Sequence, residues 1–138
     1  MNPPVVKLAE AMPKTADQLT AEEFSHYLAA ARKREEDRML ALENRIQRAR
    51  SLAQEAAGIL RDKYRVQRVV LFGSLTQPET FTLWSDVDIA AWGLTSENFL
   101  QAMNDVASLD SEIEVNLVDM ATVKSSLLEH IQRHGQDI

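Results

Sequence analysis

The feature that most constrains the fold is a long stretch without proline. Between Thr20 and Tyr64, about 44 residues, there is no proline and only one glycine, Gly58. The stretch opens with Thr20-Ala21-Glu22-Glu23, which has the spacing of a capping box, where Thr and Glu side chains satisfy free amides at a helix N-terminus. The sequence therefore predicts one long helix over residues 20–64, about 66 Å in length at 1.5 Å per residue.

Apolar residues in the second half of this helix recur at alternating steps of three and four. This heptad spacing predicts a buried face about three repeats long. Its positions are Met39, Leu42, Ile46, Ala49, Ala53, Ala56 and Leu60. We expect part of this face to cover the C-terminal part of the chain. The rest of the 20–64 helix is expected to pack against a second copy, as a homo-oligomer, or against another protein.

The segments after the helix alternate between strand and helix patterns. Residues 66–72 and 86–91 are short apolar runs, and residues 113–118 alternate between apolar and polar side chains, which predicts three strands. Residues 96–109 and 122–134 each place apolar side chains on one helical face, which predicts two helices.

These elements predict an α/β (α+β) fold. We expect a small sheet with flanking helices, in two or three layers, preceded by the long N-terminal helix. The expected domains are a flexible arm over residues 1–19, which holds three of the four prolines, the 20–64 helix, and a sheet domain over residues 65–138.

Charge is unevenly distributed along the chain, whose net charge is −6. Residues 1–70 hold 13 Lys/Arg and 10 Asp/Glu, whereas residues 71–138 hold two Lys/Arg and 11 Asp/Glu. Such an acidic half repels nucleic-acid phosphates, which argues against direct binding of DNA or RNA. The chain has no cysteine, and its apolar runs are far shorter than the roughly 20 residues of a membrane span. We expect a cytoplasmic protein with no membrane partner.

Gly73-Ser74 follows directly after the first predicted strand. A glycine there lets the backbone approach a ligand closely, and the following amides and the serine hydroxyl can donate hydrogen bonds to a phosphate. A Gly-Ser pair alone is more often a simple turn, so its interpretation depends on the residues that follow it.

Asp86 and Asp88 are two residues apart in the second predicted strand. Period-two geometry places both carboxylates on one face, about 6–7 Å apart along the backbone. Two acids on one face repel each other, and Asp is a poor strand former, so a bound divalent cation would offset a local cost. Mg²⁺ is commonly held by one or two carboxylates together with substrate phosphates. An isolated Asp-x-Asp is more often an exposed strand end.

Taken together, these motifs resemble the signature of the minimal nucleotidyltransferases of the DNA polymerase β superfamily. The pattern is a strand ending in Gly73-Ser74, a loop of about ten residues, the strand with Asp86 and Asp88, and a later acidic strand. The resemblance covers residues 66–119. It implies a palm-like mixed sheet, a two-metal Mg²⁺ site held by Asp86 and Asp88, and a triphosphate of ATP or another nucleoside triphosphate held by Gly73 and Ser74.

The resemblance also implies a reaction and a partner. In the family, an acceptor hydroxyl attacks the α-phosphorus in line and pyrophosphate leaves, with Mg²⁺ polarising the acceptor and neutralising the phosphates. Many small members are paired with HEPN-type toxins and act as their antitoxins. The implied activity is transfer of AMP from ATP to a hydroxyl group, on a partner toxin protein.

The third acidic position departs from the family pattern. Alignment of residues 114–119 with the acidic strand puts Asn116 where an Asp is expected. An Asn carbonyl can ligate Mg²⁺, but it has no charge and cannot act as a base. Glu114 lies two residues earlier on the same strand face and is a candidate substitute; the alternative is a polar residue at a strand start. Asp119 is expected to cap the following helix.

A second departure concerns the charge of the phosphates. Residues 75–80 contain no Lys or Arg, so the phosphate charge is left to Mg²⁺, to helix N-terminal amides and to Lys124, Arg65 or Arg68. We therefore expect weak nucleotide affinity, or dependence on a basic group of a partner. His130 and His134 have i, i+4 spacing but no third ligand, which disfavours a metal site. Trp84, just before the Asp pair, is expected to pack at the edge of the core; the alternative is stacking on a base or an acceptor.

Three functions remain open at this point. The first is a nucleotidyltransferase, the second a catalytically weakened homologue that acts as a binding antitoxin, and the third a nucleotide-binding regulatory module. The pair Asp86 and Asp88 favours the first, and Asn116 favours the second.

Overall fold

The computed structural model describes residues 19–138, so the arm predicted over residues 1–19 lies outside the described residues except for its last position. The predicted long helix is present as α1, Ala21–Tyr64. The N-cap bond of the predicted capping box is present, because the Glu23 amide donates to Thr20 Oγ1 at 3.1 Å; the Thr20 hydroxyl also donates to the Glu23 carboxylate at 3.3 Å. Arg65, in the left-handed region at φ 58°, follows the last residue of the helix.

The chain divides into two compact units, Met1–Met39 and Leu40–Ile138, and α1 runs through both. In the first unit the described residues form the N-terminal part of α1, where Phe24, Tyr27 and Leu28 are exposed. The second unit holds the remainder of α1 and all of the sheet.

The second unit is built around one mixed four-stranded sheet. Its strands are β1 (Arg68–Phe72), β2 (Val87–Trp92), β3 (Val115–Asp119) and β4 (Gln136–Asp137). The order is β3-β2-β1-β4; β1 pairs antiparallel with β2 and with β4, whereas β2 and β3 are parallel. Two helices complete it, α2 (Phe99–Ala107) between β2 and β3, and α3 (Ser125–His134) before β4.

Strand alternation separates two hydrophobic layers. On one face, residues such as Val69, Ile89 and Leu117 pack with the C-terminal half of α1 and with α2. On the other face, Val70 and Phe72 belong to a cluster that includes Ile131 of α3. The sheet is therefore sandwiched between helices, which confirms the predicted α+β fold and decides for three layers.

The predicted apolar face of α1 is only partly buried. From Ala49 to Leu60 its positions lie in the core, and Leu42 and Ile46 pack partly against it, but Met39 is 55% exposed. The short strand β4 was not predicted, because two polar residues after a helix carry no strand pattern. No helix within residues 19–138 is both long and apolar enough to cross a membrane.

Candidate functional site

The predicted phosphate-binding pair lies at the end of β1. Gly73 begins a 3-10 turn, Gly73–Thr76, with φ +76°, a conformation that residues with a side chain rarely adopt. Both carbonyls of the pair accept hydrogen bonds from threonine hydroxyls. Thr76 donates to the Gly73 carbonyl at 2.7 Å, and Thr80 donates to the Ser74 carbonyl at 3.2 Å. These side-chain bonds fix the turn directly after the strand.

Asp88 is distant from Gly73 in sequence but lies close to it in the folded chain. In the antiparallel register Asp88 is opposite Phe72, the residue before the glycine. A Cβ added to Gly73 would collide with Asp88 Oδ2, so only a residue without a side chain leaves room for this carboxylate. Gly73 and Asp88 are 15 positions apart in sequence. The fold therefore brings the Gly-Ser turn next to a carboxylate of the Asp-x-Asp strand.

Asp86 lies just before β2 and is held by two other segments. Its Oδ1 accepts from the Glu114 amide at 3.1 Å and lies 3.5 Å from a guanidinium nitrogen of Arg45. Both contacts use Oδ1. Since neither contact within residues 19–138 involves Oδ2, that oxygen is available to a cation. Asp86 and Asp88 share a strand face, as the alternation predicted, because Val87 between them is fully buried on the other side.

Arg45 is a positioning residue that the sequence did not reveal. From α1 it donates to the Ser85 carbonyl through Nε (3.1 Å) and Nη2 (2.8 Å), and Nη2 also lies 3.4 Å from the Glu112 carbonyl. Its side chain is only 15% exposed. One guanidinium therefore ties the segment before Asp86 to the segment before β3. An arginine on a mixed-charge helix gives no signal of this role in sequence.

The departure from the family pattern lies at the centre of the site. Asn116 is in register with Asp88 across the parallel β2–β3 pair, and its amide nitrogen donates to Asp88 Oδ1 at 3.2 Å. An Asp at this position would place a third carboxylate next to Asp88. Glu114 is exposed, and the contacts that join it to the site are those of its backbone, whose amide donates to Asp86 and whose carbonyl accepts from Val87.

Burial raises the pKa of the Asp88 carboxyl above its ordinary value of 3.8, and the negative charge of Asp86 raises it further. The hydrogen bond from Asn116 lowers the pKa and partly opposes these two effects. A half-buried carboxylate with a second carboxylate nearby is a site where a cation would be stabilised.

The donor set fits a hard divalent cation. Asp88 lies beside Gly73, Asn116 is hydrogen-bonded to Asp88, and Asp86 is on the same strand face as Asp88. Mg²⁺ prefers such oxygen ligands, completed by substrate phosphates and water. Within residues 19–138 there is no group of three or more His, Cys, Asp or Glu side chains arranged for a metal. Such a group would need a third acid next to Asp86 and Asp88, whereas position 116 carries an amide. Asp86 and Asp88 are thus the residues that would hold Mg²⁺.

Two cavities border the site. One, of about 240 Å³, is lined by Gly73, Ser74, Thr76, Gln77, Thr80, His130 and His134. The other, of about 610 Å³, lies beside Arg45 and Arg48, but Arg45 binds carbonyl groups and Arg48 pairs with Asp110 at 3.0 Å. The smaller cavity contains the Gly-Ser turn, which is the predicted phosphate-binding pair.

Several expectations about individual residues were wrong. Trp84 does not pack at the core edge but is 88% exposed, because the loop before Asp86 turns its side chain outward. Asp119 does not cap α3, which begins six residues later; it ends β3, is buried, and accepts from the Ala121 amide at 3.0 Å to close a turn.

The basic residues proposed to neutralise phosphates lie elsewhere. Arg68 begins β1, about 16 Å along the strand from Gly73 at 3.3 Å per residue, and pairs with Asp137 at 2.6 Å. Arg65 precedes that same end of the strand, and Lys124 precedes the first residue of α3.

Comparison with known proteins identifies the family of this chain. The model of the family "Polymerase beta, Nucleotidyltransferase" matches residues 54–138, which is more than half of the chain. No curated protein matches the chain.

Solved structures similar to this chain include toxin-antitoxin complexes. A chain of a toxin-antitoxin crystal structure with AMP-PNP is 27% identical, with TM-score 0.53 over 62% of this chain and 70% of that one. A chain from a mutant of the toxin-antitoxin MntA-HpeT is also 27% identical, with TM-score 0.51 over 62% and 69%. In a further MntA-HpeT mutant, the identity is 24% and the TM-score 0.51 over 62% and 70%, a likeness of fold. With the family model matched from α1 to the last residue of the chain, the protein belongs to the polymerase beta nucleotidyltransferase family.

Proposed function

We propose that this protein is a Mg²⁺-dependent nucleotidyltransferase that transfers a nucleoside monophosphate, AMP from ATP, to a hydroxyl acceptor on a partner toxin protein. The observation that carries the proposal is the close approach of Asp88 to Gly73. It brings a carboxylate suited to a divalent cation against the turn suited to a triphosphate, which is the juxtaposition that phosphoryl transfer requires.

In this proposal different residues bind the metal ion and the nucleotide. Asp86 and Asp88 would hold Mg²⁺, and the Gly73-Ser74 turn would hold the triphosphate through its amides and the Ser74 hydroxyl. Bound Mg²⁺ supplies charge neutralisation on the phosphates and polarisation of the acceptor hydroxyl. Arg45 fixes the segment that carries Asp86, so the carboxylate is ordered before the nucleotide arrives.

In the transfer, the acceptor oxygen forms a bond to the α-phosphorus as the bond from the α-phosphorus to the oxygen leading to the β-phosphate breaks. Pyrophosphate leaves with that oxygen. The acceptor proton passes to water, because the amide of Asn116 cannot act as a base and, in the part of the chain that the structure describes, only the backbone of Glu114 contacts the site. The nucleophile is thus expected to be weakly activated, and transfer to be slow.

The choice of nucleotide and partner rests on the similar proteins. One similar structure, at 27% identity, is a toxin-antitoxin with AMP-PNP, which supports an adenine nucleotide and a protein partner. The sequence resemblance supports a HEPN-type toxin as that partner. The exposed Phe24, Tyr27 and Leu28 of α1 offer an apolar surface for a partner protein or for a second copy.

The test is transfer of label from α-labelled ATP. The protein is incubated with Mg²⁺ and ATP, with and without the product of the neighbouring gene, and label is followed on protein. We expect label on the partner that Asp86→Ala and Asp88→Ala abolish. Asp62→Ala, an exposed acid on α1, is the matched control and should retain transfer. Label that survives both site variants would refute the proposal.

The hydrogen bond from Asn116 to Asp88 supports a second candidate function, a binding antitoxin with a weakened site. In that case the wild type forms a stable complex with its partner but transfers no label, whereas Asn116→Asp gains transfer. If neither the wild type nor the Asn116→Asp variant transfers label, and the complex forms without nucleotide, binding alone is the function.

A further inference from the structure

The two histidines of α3 lie on the same side of the sheet as the candidate metal ligands. Strand alternation places Asp88 on the face opposite the fully buried Val87 and Ile89. That face is the one covered by α3, because Ile131 clusters with Val70, Phe72 and Ala90. The helix therefore borders the site, although it is 37 residues or more from Asp88 in sequence.

The cavity at the Gly-Ser turn extends to these histidines. His130 and His134 form one part of its wall, and Gly73 and Ser74 form another, in a space of about 240 Å³. The two imidazole rings are 5.0 Å apart between centroids and are tilted by 48°. Thr80 and Gln77 supply the remaining polar wall.

Among the described residues, no Lys or Arg lines the cavity at the Gly-Ser turn, so the phosphates need other hydrogen-bond donors there. A nucleoside triphosphate is highly anionic, and residues 71–138 hold only Lys124 and Arg133 against 11 acids. Arg133 pairs with Glu129 at 2.8 Å. Lys124 precedes α3, about 15 Å from His134 along a helix at 1.5 Å per residue.

Resting on the nucleotide-binding role proposed above, we infer that His130 and His134 bind the phosphates of the nucleoside triphosphate beyond the α-phosphate, in the cavity they share with Gly73 and Ser74. An imidazole ring N–H can donate a hydrogen bond to a phosphate oxygen, and such a bond is charge-assisted because the phosphate acceptor is ionised. Charge-assisted bonds from such donors to phosphate oxygens are the stronger kind of hydrogen bond. The pair thereby takes the place of the basic residue that is missing from residues 75–80.

The histidines are suited to phosphate rather than to a metal. Within residues 19–138 no third His, Cys, Asp or Glu completes a ligand group with them. Two exposed imidazoles on adjacent helical turns can instead contact two oxygens of neighbouring phosphates.

The test uses His130→Ala, His134→Ala and the double variant, with His26→Ala on α1 as the matched control. Alanine removes the imidazole donor and leaves no hydrogen-bonding side chain. Because both histidines are exposed, the variants should fold, which circular dichroism checks. We expect each single variant to weaken Mg²⁺-ATP binding in calorimetry by about tenfold, as loss of one charged hydrogen bond does, and to leave adenosine binding unchanged.

A second measurement is independent of the transfer reaction. Imidazole NMR signals are followed while inorganic tripolyphosphate is added to the wild type. We expect signals of His130 and His134 to shift, and those of His26 to stay. If tripolyphosphate shifts neither signal, or if the double variant binds Mg²⁺-ATP like the wild type, the inference is wrong even where transfer occurs. If the histidines respond to tripolyphosphate but no label is transferred, the inference holds and the transferase proposal fails.

Discussion

Replacement of Gly73 by alanine is the sharpest test of the site. Gly73 has φ +76°, where a residue with a Cβ costs about 1–2 kcal/mol. The new Cβ would also collide with Asp88 Oδ2. The carboxylate must leave its rotamer and weaken its bond to Asn116, which costs about a further 1–2 kcal/mol. We therefore expect Gly73→Ala to lower the free energy of unfolding by about 2–4 kcal/mol.

A matched control lies in the same chain. Gly58 is inside α1, and a Cβ added there meets no atom within 4 Å. Gly58→Ala should therefore raise the free energy of unfolding by about 0.5–1 kcal/mol, the usual gain from replacing a helical glycine. Urea unfolding of both variants measures the two changes with one method.

A double-mutant cycle separates the two costs at Gly73. In an Asp88→Ala background the colliding carboxylate is absent, and only the backbone cost of about 1–2 kcal/mol should remain. The expected coupling between positions 73 and 88 is thus about 1–2 kcal/mol. Additive effects, within about 0.5 kcal/mol, would refute the close approach of Asp88 to Gly73 and with it the geometry of the site.

Three further predictions concern the acidic site. Without Mg²⁺, the raised pKa of Asp88 means that the folded protein binds more protons than the unfolded chain just above pH 3.8, so stability falls as pH rises through this range. Asp88→Asn should therefore gain stability relative to wild type between pH 3 and pH 7 in urea unfolding with EDTA; a loss would contradict the burial of this carboxyl. Asn116→Asp should lower stability by about 1–2 kcal/mol without divalent ions and increase the rise in melting temperature on adding Mg²⁺; an unchanged response would show that position 116 does not face the cation. Arg45→Ala should cost about 2–3 kcal/mol because it removes charged hydrogen bonds to Ser85, whereas Arg50→Ala, at an exposed residue of α1, should stay within about 0.5 kcal/mol; equal losses in the two variants would argue against a positioning role.

Local patterns were sufficient to predict most of the secondary structure. The capping box at Thr20 and the absence of proline predicted α1, and the alternation over residues 113–118 predicted which side chains of β3 are buried. These signals are local because helix caps and strand faces depend on neighbours a few residues apart. The two-residue strand β4 had no such signal, since its position depends on Val70 and Leu71 of β1.

The sequence by itself determined the candidate ligands and the family. Gly73-Ser74 and the pair Asp86 and Asp88 are recognisable by residue type and spacing, because phosphate and Mg²⁺ accept few kinds of ligand. The substitution at position 116 was also visible, since strand period two identifies the residue that faces the site.

Only the tertiary structure decided what surrounds those ligands. The positions of Arg45 and of His130 and His134 depend on how α1 and α3 pack across the sheet, and their own neighbours in sequence carry no trace of that packing. The same holds for Trp84, whose exposure depends on the path of a loop. A motif can specify which atoms bind a ligand, whereas the charges that tune the site come from distant segments that meet only when the chain has folded.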